Sequence, residues 1–276
     1  MILVIGSRGV VSTAVQHHFA NQVIEVVESE IAKNWIRDSS EKELHEFITS
    51  LPTKPSKILN CAGVTDPKLP EKLLMEVNFE LPKKLLAISQ KEDIDLITFG
   101  SVMENNQDFC KINPYLKSKK EYFDLFKSSV SRDSSHLHLQ LHTLYGGIKV
   151  HRHMFLGQMF EAIQNRLDFK MTGGTQLREY HHIMDDIQAL DKVIRTNTGG
   201  VVEISHQEKI TLRSIAEHVF SEFGILNRLK VGDLPNPSIE QYDMCLRDES
   251  QRQVEGFRPS LFGITQHLRE LLGNTK

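Results

Sequence analysis

The chain has 276 residues, about two domains' worth and enough to bury a sizeable core. Hydrophobic residues make up 39% and charged residues 25%, the balance of a globular chain and not of a disordered one. With 33 basic against 36 acidic residues the net charge is −3, so no cationic excess exists to neutralise a run of phosphates and no nucleic-acid partner is expected. Cys61, Cys110 and Cys245 are odd in number and far apart. They make neither a disulfide framework nor a metal spacing, which fits a reducing compartment. Met1 to Ile5 is too short an apolar run for a signal peptide, and no stretch approaches the roughly eighteen apolar residues that span a bilayer. The expectation is a cytoplasmic protein with no membrane partner.

In chain order, Ile2–Ile5 reads as a buried strand followed by a glycine-containing turn, and Val11–Phe19 as a helix. Val23–Val27 is a second strand, Glu41–Ser50 a helix, and Lys57–Asn60 a third strand. Glu71–Gln90 is helical, with Pro82 as its candidate break point. Asp95–Phe99 is a fourth strand, Tyr115–Ser129 a helix, and His136–Leu144 a fifth strand. Strands alternating with helix-sized segments imply right-handed crossovers and a parallel, doubly wound α/β sheet. Beyond Gly146-Gly147 come helical Phe155–Arg166, a short Phe169–Met171 segment, helical Met184–Thr196 and a strand Val201–Ser205. Thr211–Gly224 and Ile264–Leu272 then suggest a smaller helical cap. The expected division is a dinucleotide-binding core at 1–150, with 183–205 returning to it, and a substrate-binding cap at 151–182 and 206–276.

The opening, ILVIGSRGVVS, sets Gly6 and Gly9 between a strand and a helix, where a glycine turn can cradle a pyrophosphate. Gly6 allows the tight turn, Gly9 allows close backbone approach, and the helix beginning at Val10 and Val11 aims its free N–H groups at the phosphates. Ser12 stands in place of a third glycine. The plain alternative is a glycine turn in a nucleotide-free α/β protein. Glu28, ending the second strand, suits the ribose of NAD, whereas Arg8 in the turn suits the 2′-phosphate of NADP. NAD is the expected cofactor, with NADP possible.

Tyr115 and Lys119 lie four residues apart in a helical segment and share a face. A nearby ammonium lowers a phenol's pKa, so Tyr115 is expected to exchange a proton with an alcohol or ketone. The fourth strand ends at Phe99-Gly100-Ser101, at the carboxyl edge of the sheet where ligands bind. Ser101 reads as a substrate-facing hydroxyl or, more simply, as a helix or turn cap. His136, His138 and His142 share one strand face that could take zinc, but no cysteine or carboxylate joins them at tight spacing, so no metal is expected.

The order ILVIGSRGVVS, ILNCAG, EVNFELP, LITFGSVMEN, NPYLKSK, LHTLYGG, QLREYHHIMDD resembles the extended short-chain dehydrogenase/reductases, and within them the NAD-dependent epimerase/dehydratase family acting on nucleotide sugars. The resemblance spans roughly residues 1–220. It implies a Rossmann-type fold, Ser101, Tyr115 and Lys119 as the catalytic set, and Asn60, Cys61, Ala62 and Gly63 along the adenine–ribose side of the cofactor. It also implies that Asn78 steadies the sheet and site, that Arg178 meets the substrate diphosphate, and that Thr143 lines the sugar pocket. Val102 and Met103, also expected at the substrate, replace the Asp-Glu pair of 4,6-dehydratases, so dehydration is disfavoured. LPNPSIEQYD (234–243) offers no second phosphate-binding arginine.

The expectation is therefore an NAD(P)-dependent nucleotide-sugar oxidoreductase or epimerase working at a sugar carbon, C4 by preference, most like a 4-keto sugar reductase or a 4-epimerase. A homodimer is implied by the resemblance. The alternatives are a non-catalytic dinucleotide sensor or scaffold of the same fold, and a reductase of small non-nucleotide ketones.

Overall fold

The structure is a computed structural model describing residues 1–38, 41–131, 134–148, 150–196, 199–237, 240, 251–253 and 256–273. Cys245 and part of the 234–243 segment lie outside the described residues. Contacts divide the chain into two units: Met1–Leu141 with Ile187–Ile204 and Asp248–Arg252, and His142–Asp186 with Ser205–Arg247 and Gln253–Lys276.

The first unit begins with β1 (Ile2–Ile5), buried at every position, which is why its sequence is a continuous apolar run without alternation. There follow α1 (Val10–His18), β2 (Ile24–Val27), α2 (Ser29–Arg37), α3 (Lys42–Ser50) and β3 (Lys57–Asn60). Helix α4 (Glu71–Met75) runs through a π-helical turn, Glu76–Glu80, into α5 (Leu81–Glu92). Next come β4 (Asp95–Ser101), α6 (Gln107–Ile112), α7 (Pro114–Ser129) and β5 (Leu137–Leu141). The chain continues through β6 (Thr143–Tyr145), α8 (Phe155–Gln164), β7 (Phe169–Met171), β8 (Leu177–His182), α9 (Ile183–Arg195) and β9 (Gly200–Ser205). It closes with β10 (Lys209–Thr211), α10 (Leu212–Glu222), β11 (Leu229–Val231), β12 (Gln251–Gln253) and α11 (Ser260–Gly273).

The main sheet is ordered β12-β9-β5-β4-β3-β1-β2. Every pairing from β9 to β2 is parallel. This is the doubly wound, Rossmann-type arrangement the alternation of elements predicts. The chain reverses its direction of travel across the sheet between β1 and β3, so the carboxyl ends of those two strands form the topological switch point at which α/β sheets bind ligands. Strand β9 does return to the sheet, with Gly200 opposite Leu137.

Three local expectations change. The helix from Glu71 does not break at Pro82, which sits in the first turn of α5 where a missing N–H costs little. The irregularity comes just before, in the π-turn, whose one inward polar side chain is Asn78. The expected strand His136–Leu144 divides at His142: β5 belongs to the main sheet, and β6 pairs with β8. Helix α2, which sequence periodicity did not single out, is anchored by buried Ala32 and Trp35. Its last carbonyls are capped by Lys84, whose Nζ donates to Trp35 O at 2.7 Å, to Ile36 O at 3.2 Å and to Asp38 O. Trp35 also belongs to the core of this unit with Leu3, Ile5, Leu85 and Tyr122.

The second unit is less helical than its sequence suggests. It holds a three-stranded sheet, β10-β8-β6, and a parallel pair, β11-β7. Its core gathers Met159, Phe169, Phe220, Ile264 and Leu268. Met154, which has helical spacing with Phe155 and Met159, stands outside that core and is exposed.

Candidate active site

Ser101 ends β4 and starts a 3-10 turn, Val102–Asn105. Its Oγ accepts from Met103 N at 3.2 Å, and its backbone N donates to Glu104 Oε2 at 3.2 Å. This reciprocal pair is a capping box, so Ser101 is indeed a cap. Because Oγ acts as acceptor there, its own proton is left to donate outward. Val102 is buried and Met103 half-buried in the same turn.

Glu104 is fully buried. Its Oε1 accepts from His138 Nε2 at 2.8 Å and from Gln140 Nε2 at 2.9 Å, and His138 Nδ1 bonds Thr98 Oγ1 at 2.8 Å. A Cβ on Gly100 would collide with both His138 and Glu104, which explains a glycine one residue before the serine.

Helix α7 starts at Asn113, whose side chain accepts from Leu116 N, with Pro114 in its first turn. Tyr115 and Lys119 follow on one face. Lys119 Nζ donates to Phe99 O at 2.8 Å, on the strand that carries Ser101. It also lies 3.8 Å from where a Cβ of Gly63 would stand. Asn78 ties the same parts together: Nδ2 donates to Val64 O at 2.9 Å and to Ser118 Oγ at 3.0 Å, while Oδ1 accepts from Val64 N at 3.1 Å. Ser118 Oγ donates in turn to Tyr115 O at 2.7 Å. The loop after β3, the end of β4 and the start of α7 thus meet around buried Asn78 and half-buried Lys119.

The electrostatics differ from the expectation that the lysine lowers the phenol's pKa. Burial pushes the Tyr115 hydroxyl well above the ordinary tyrosine value, and the Glu104 carboxylate adds to the rise. Burial lowers Lys119, with Glu104 opposing that shift. Lys119's amine donates to the Phe99 carbonyl.

At the switch point, Gly6 has φ +92°, and a Cβ there would come within 2.9 Å of Ala62 N. No larger residue can hold this turn against the loop after β3. Ser12 Oγ donates to Gly6 O, closing the turn from inside. Gly9 is the N-cap of α1 without a side-chain cap, and no acidic residue occupies the helix's first turn. The peptide N–H groups of Val10 and Val11 are therefore left for an anion, and the turn fits a dinucleotide pyrophosphate. Asn60 is buried and accepts from Ala62 N at 3.3 Å, while Cys61 and Ala62 are half-buried beside it. Arg8 and Glu28 are both exposed.

Thr143 and Arg178 lie in the second unit. Thr143 is paired opposite Tyr180. Arg178 Nη2 donates to Glu240 Oε1 at 3.0 Å and Nη1 to Leu177 O at 2.8 Å. His136, His138 and His142 do not converge. His136 Nδ1 accepts from Leu96 N, His138 serves Glu104, and His142 belongs to the second unit. The sequence reading missed Glu104, although Ser101-Val102-Met103-Glu104 carries the S-x-x-E signature that finds it.

The fold and the glycine turn at its switch point place the chain in the Rossmann class of α/β proteins. The profile of the NAD dependent epimerase/dehydratase family matches residues 2–205, and the chain belongs to that family. No curated protein matches the chain. Among solved structures it is similar to dTDP-4-dehydrorhamnose reductase from Bacillus anthracis in complex with NADP, at 17% identity and TM-score 0.72, covering 98% of each chain. ADP-L-glycero-D-manno-heptose-6-epimerase from Helicobacter pylori is 18% identical at TM-score 0.68, with 99% of this chain and 95% of that one covered. dTDP-glucose 4,6-dehydratase from Bacillus anthracis in complex with NAD is 14% identical at TM-score 0.67, with the same coverage. No helix among the described residues is long and apolar enough to cross a membrane.

Proposed function

We propose that the chain is an NAD(P)-dependent oxidoreductase or epimerase of nucleotide sugars that works at a sugar ring carbon, C4 in our reading. Gly6, Gly9 and the N–H groups of Val10 and Val11 hold the pyrophosphate, Glu28 or Arg8 meets the adenosine ribose, Asn60 to Gly63 line the adenine–ribose side, and Asn78 braces that loop. The bound nicotinamide supplies or takes up hydride. Ser101, its oxygen already accepting from Met103, donates its proton to the reacting oxygen as charge grows there. Tyr115 gives up or receives the hydroxyl proton. Burial and Glu104 favour the protonated phenol, the form that acts as acid when a ketone is reduced. Lys119 positions the nicotinamide ribose. Val102, Met103, Thr143 and Arg178 serve the sugar and its diphosphate. The observation that carries the reading is Lys119 on the Phe99 carbonyl, which joins α7 to the strand end bearing Ser101.

One contact favours a second reading, a reductase of small non-nucleotide ketones. The Arg178 guanidinium is already engaged by Glu240, so a diphosphate must displace a carboxylate. Under this reading Arg178→Ala leaves KM unchanged, whereas a nucleotide-sugar enzyme loses substrate affinity.

The test is a thermal-shift screen of NAD, NADP and UDP-, GDP-, CDP- and dTDP-sugars, followed by turnover of whatever binds. Net consumption of cofactor marks a reductase, and its retention marks an epimerase. Tyr115→Phe should keep binding and lose activity by about a hundredfold or more. Binding of dinucleotide with no turnover that Tyr115→Phe alters points to the non-catalytic sensor. Sedimentation of the same sample tests the expected homodimer.

A further inference from the structure

The second unit contains a cluster that none of the chemistry above uses. Glu179, on β8, is buried, and three imidazoles surround its carboxylate. His181 Nε2 lies 3.0 Å from Oε1, His206 Nε2 lies 3.9 Å from Oε1, and His142 Nε2 lies 3.9 Å from Oε2. The donor atoms of His142, Glu179 and His181 all fall within 4.8 Å of one another. Side-chain exposure is 2% for His142, 1% for Glu179, 0% for His181 and 9% for His206.

We propose that His142, Glu179, His181 and His206 form a binding site for a zinc-class divalent transition-metal ion. Three features support it. First, His206 Nε2 is buried without a hydrogen-bond partner, and the ring's other bond goes to the backbone of Tyr180. That nitrogen faces the Glu179 carboxylate across a 3.9 Å gap, where a cation would partner both. Second, a 3.9 Å gap is too long for a hydrogen bond and too short for a bridging water, which needs ~4.6 Å. Ligands on one tetrahedral ion stand about 3.3 Å apart, so a small contraction closes the set. Third, the surroundings already orient the ligands. Asp186 Oδ1 holds His181 Nδ1 at 2.8 Å and turns Nε2 to the Glu179 carboxylate, a 3.0 Å hydrogen bond that an ion between the two would replace. Glu179 Oε1 accepts from the backbone N of His206 and of Gln207, at 2.6 Å and 3.0 Å. Ser205 Oγ donates to the same carboxylate. Phe257 stacks on His206 at 5.1 Å and closes the cluster to water.

Three nitrogens and one oxygen suit zinc and its neighbours and not calcium or magnesium. Four protein ligands make a closed, structural site. They fasten the start of β6, strand β8 and the segment after β9 to one another. The site lies among residues of the second unit and does not depend on the proposed enzymatic activity.

The experiment uses the tag-free full chain, stripped with chelator and titrated with Co2+ and then Zn2+. One Co2+ per chain with tetrahedral visible bands, displaced by Zn2+, is expected, together with a higher Tm. His206→Ala and His142→Ala should each weaken binding by about tenfold or more, while the surface variant His45→Ala leaves it unchanged. Circular dichroism checks that the variants fold, and Glu179→Gln serves where one does not. Failure of the folded wild-type chain to take up one ion overturns the proposal, and so does uptake that His206→Ala and Glu179→Gln leave intact.

Discussion

Glu104, in the turn after β4, and His138, on the neighbouring β5, meet with an Oε1–Nε2 distance of 2.8 Å, at 0% and 1% side-chain exposure. The pair lies directly behind the serine that ends β4, and its carboxylate raises the Tyr115 hydroxyl. Replacing Glu104 with glutamine removes that charge. The phenol should then titrate at lower pH than in the wild type, read as the ultraviolet tyrosinate signal lost in Tyr115→Phe. Loss of one acceptor should also cost about 1–3 kcal/mol in chemical denaturation. An unchanged titration refutes the coupling.

Gly6→Ala meets two penalties, a left-handed backbone and a Cβ 2.9 Å from Ala62 N. A cost of about 1–3 kcal/mol is expected, with a weaker thermal shift from dinucleotide. Gly224, at φ +68°, has nothing within 4 Å of its absent Cβ. Gly224→Ala should cost only the backbone part, about 1 kcal/mol, and leave the dinucleotide shift alone. Equal losses in both variants would remove steric contact with Ala62 from the explanation.

Lys84→Met strips the donors from the last turn of α2 and leaves the buried carbonyl of Trp35 and the half-buried one of Ile36 without their Lys84 donor. About 2–3 kcal/mol of stability should go, most of it as desolvation of those carbonyls. Urea unfolding with Trp35 fluorescence measures it, since the only tryptophan of the chain sits in this helix.

Asp191 joins α9 to α1 through His18 at 3.2 Å and pairs with Arg195 at 2.9 Å. Burial works to raise its pKa, but the hydrogen bonds and charges of Arg195 and His18 win and hold it below the ordinary aspartate value. A carboxyl lowered by folding contributes stability above its unfolded pKa of about 4 and loses it as pH falls through the folded value. Asp191→Asn should therefore cost up to about 1 kcal/mol near neutrality, since the pair is partly solvent-screened. The difference from wild type should shrink below about pH 4 in acid titrations of stability. A gap that widens in acid contradicts this sign.

The parallel sheet, the glycine turn and the return of the strand near Val201 were legible because they depend on apolar runs and on glycine, both local signals. What escaped depends on distance. Glu104 looks like a turn residue until β5 brings His138 and Gln140 beneath it. His142 looked like one of three imidazoles on a strand, yet the strand ends before it, and its neighbours, Glu179 and His181, lie far away in sequence. The direction of the Tyr115 shift was also out of reach, since spacing reports that a lysine is near but neither how far the phenol is buried nor that the Glu104 carboxylate acts on it.

Strand β9 has a consequence for biosynthesis. The main sheet receives β9 only after the chain has left the first unit at residue 142 and come back at residue 187. Until Ser205 has emerged from the ribosome, β5 is an edge strand with open backbone groups, so the nascent chain carries an adhesive margin for over sixty residues of synthesis. Fragments stopped at residue 141 should aggregate, whereas those reaching past residue 205 should stay dispersed.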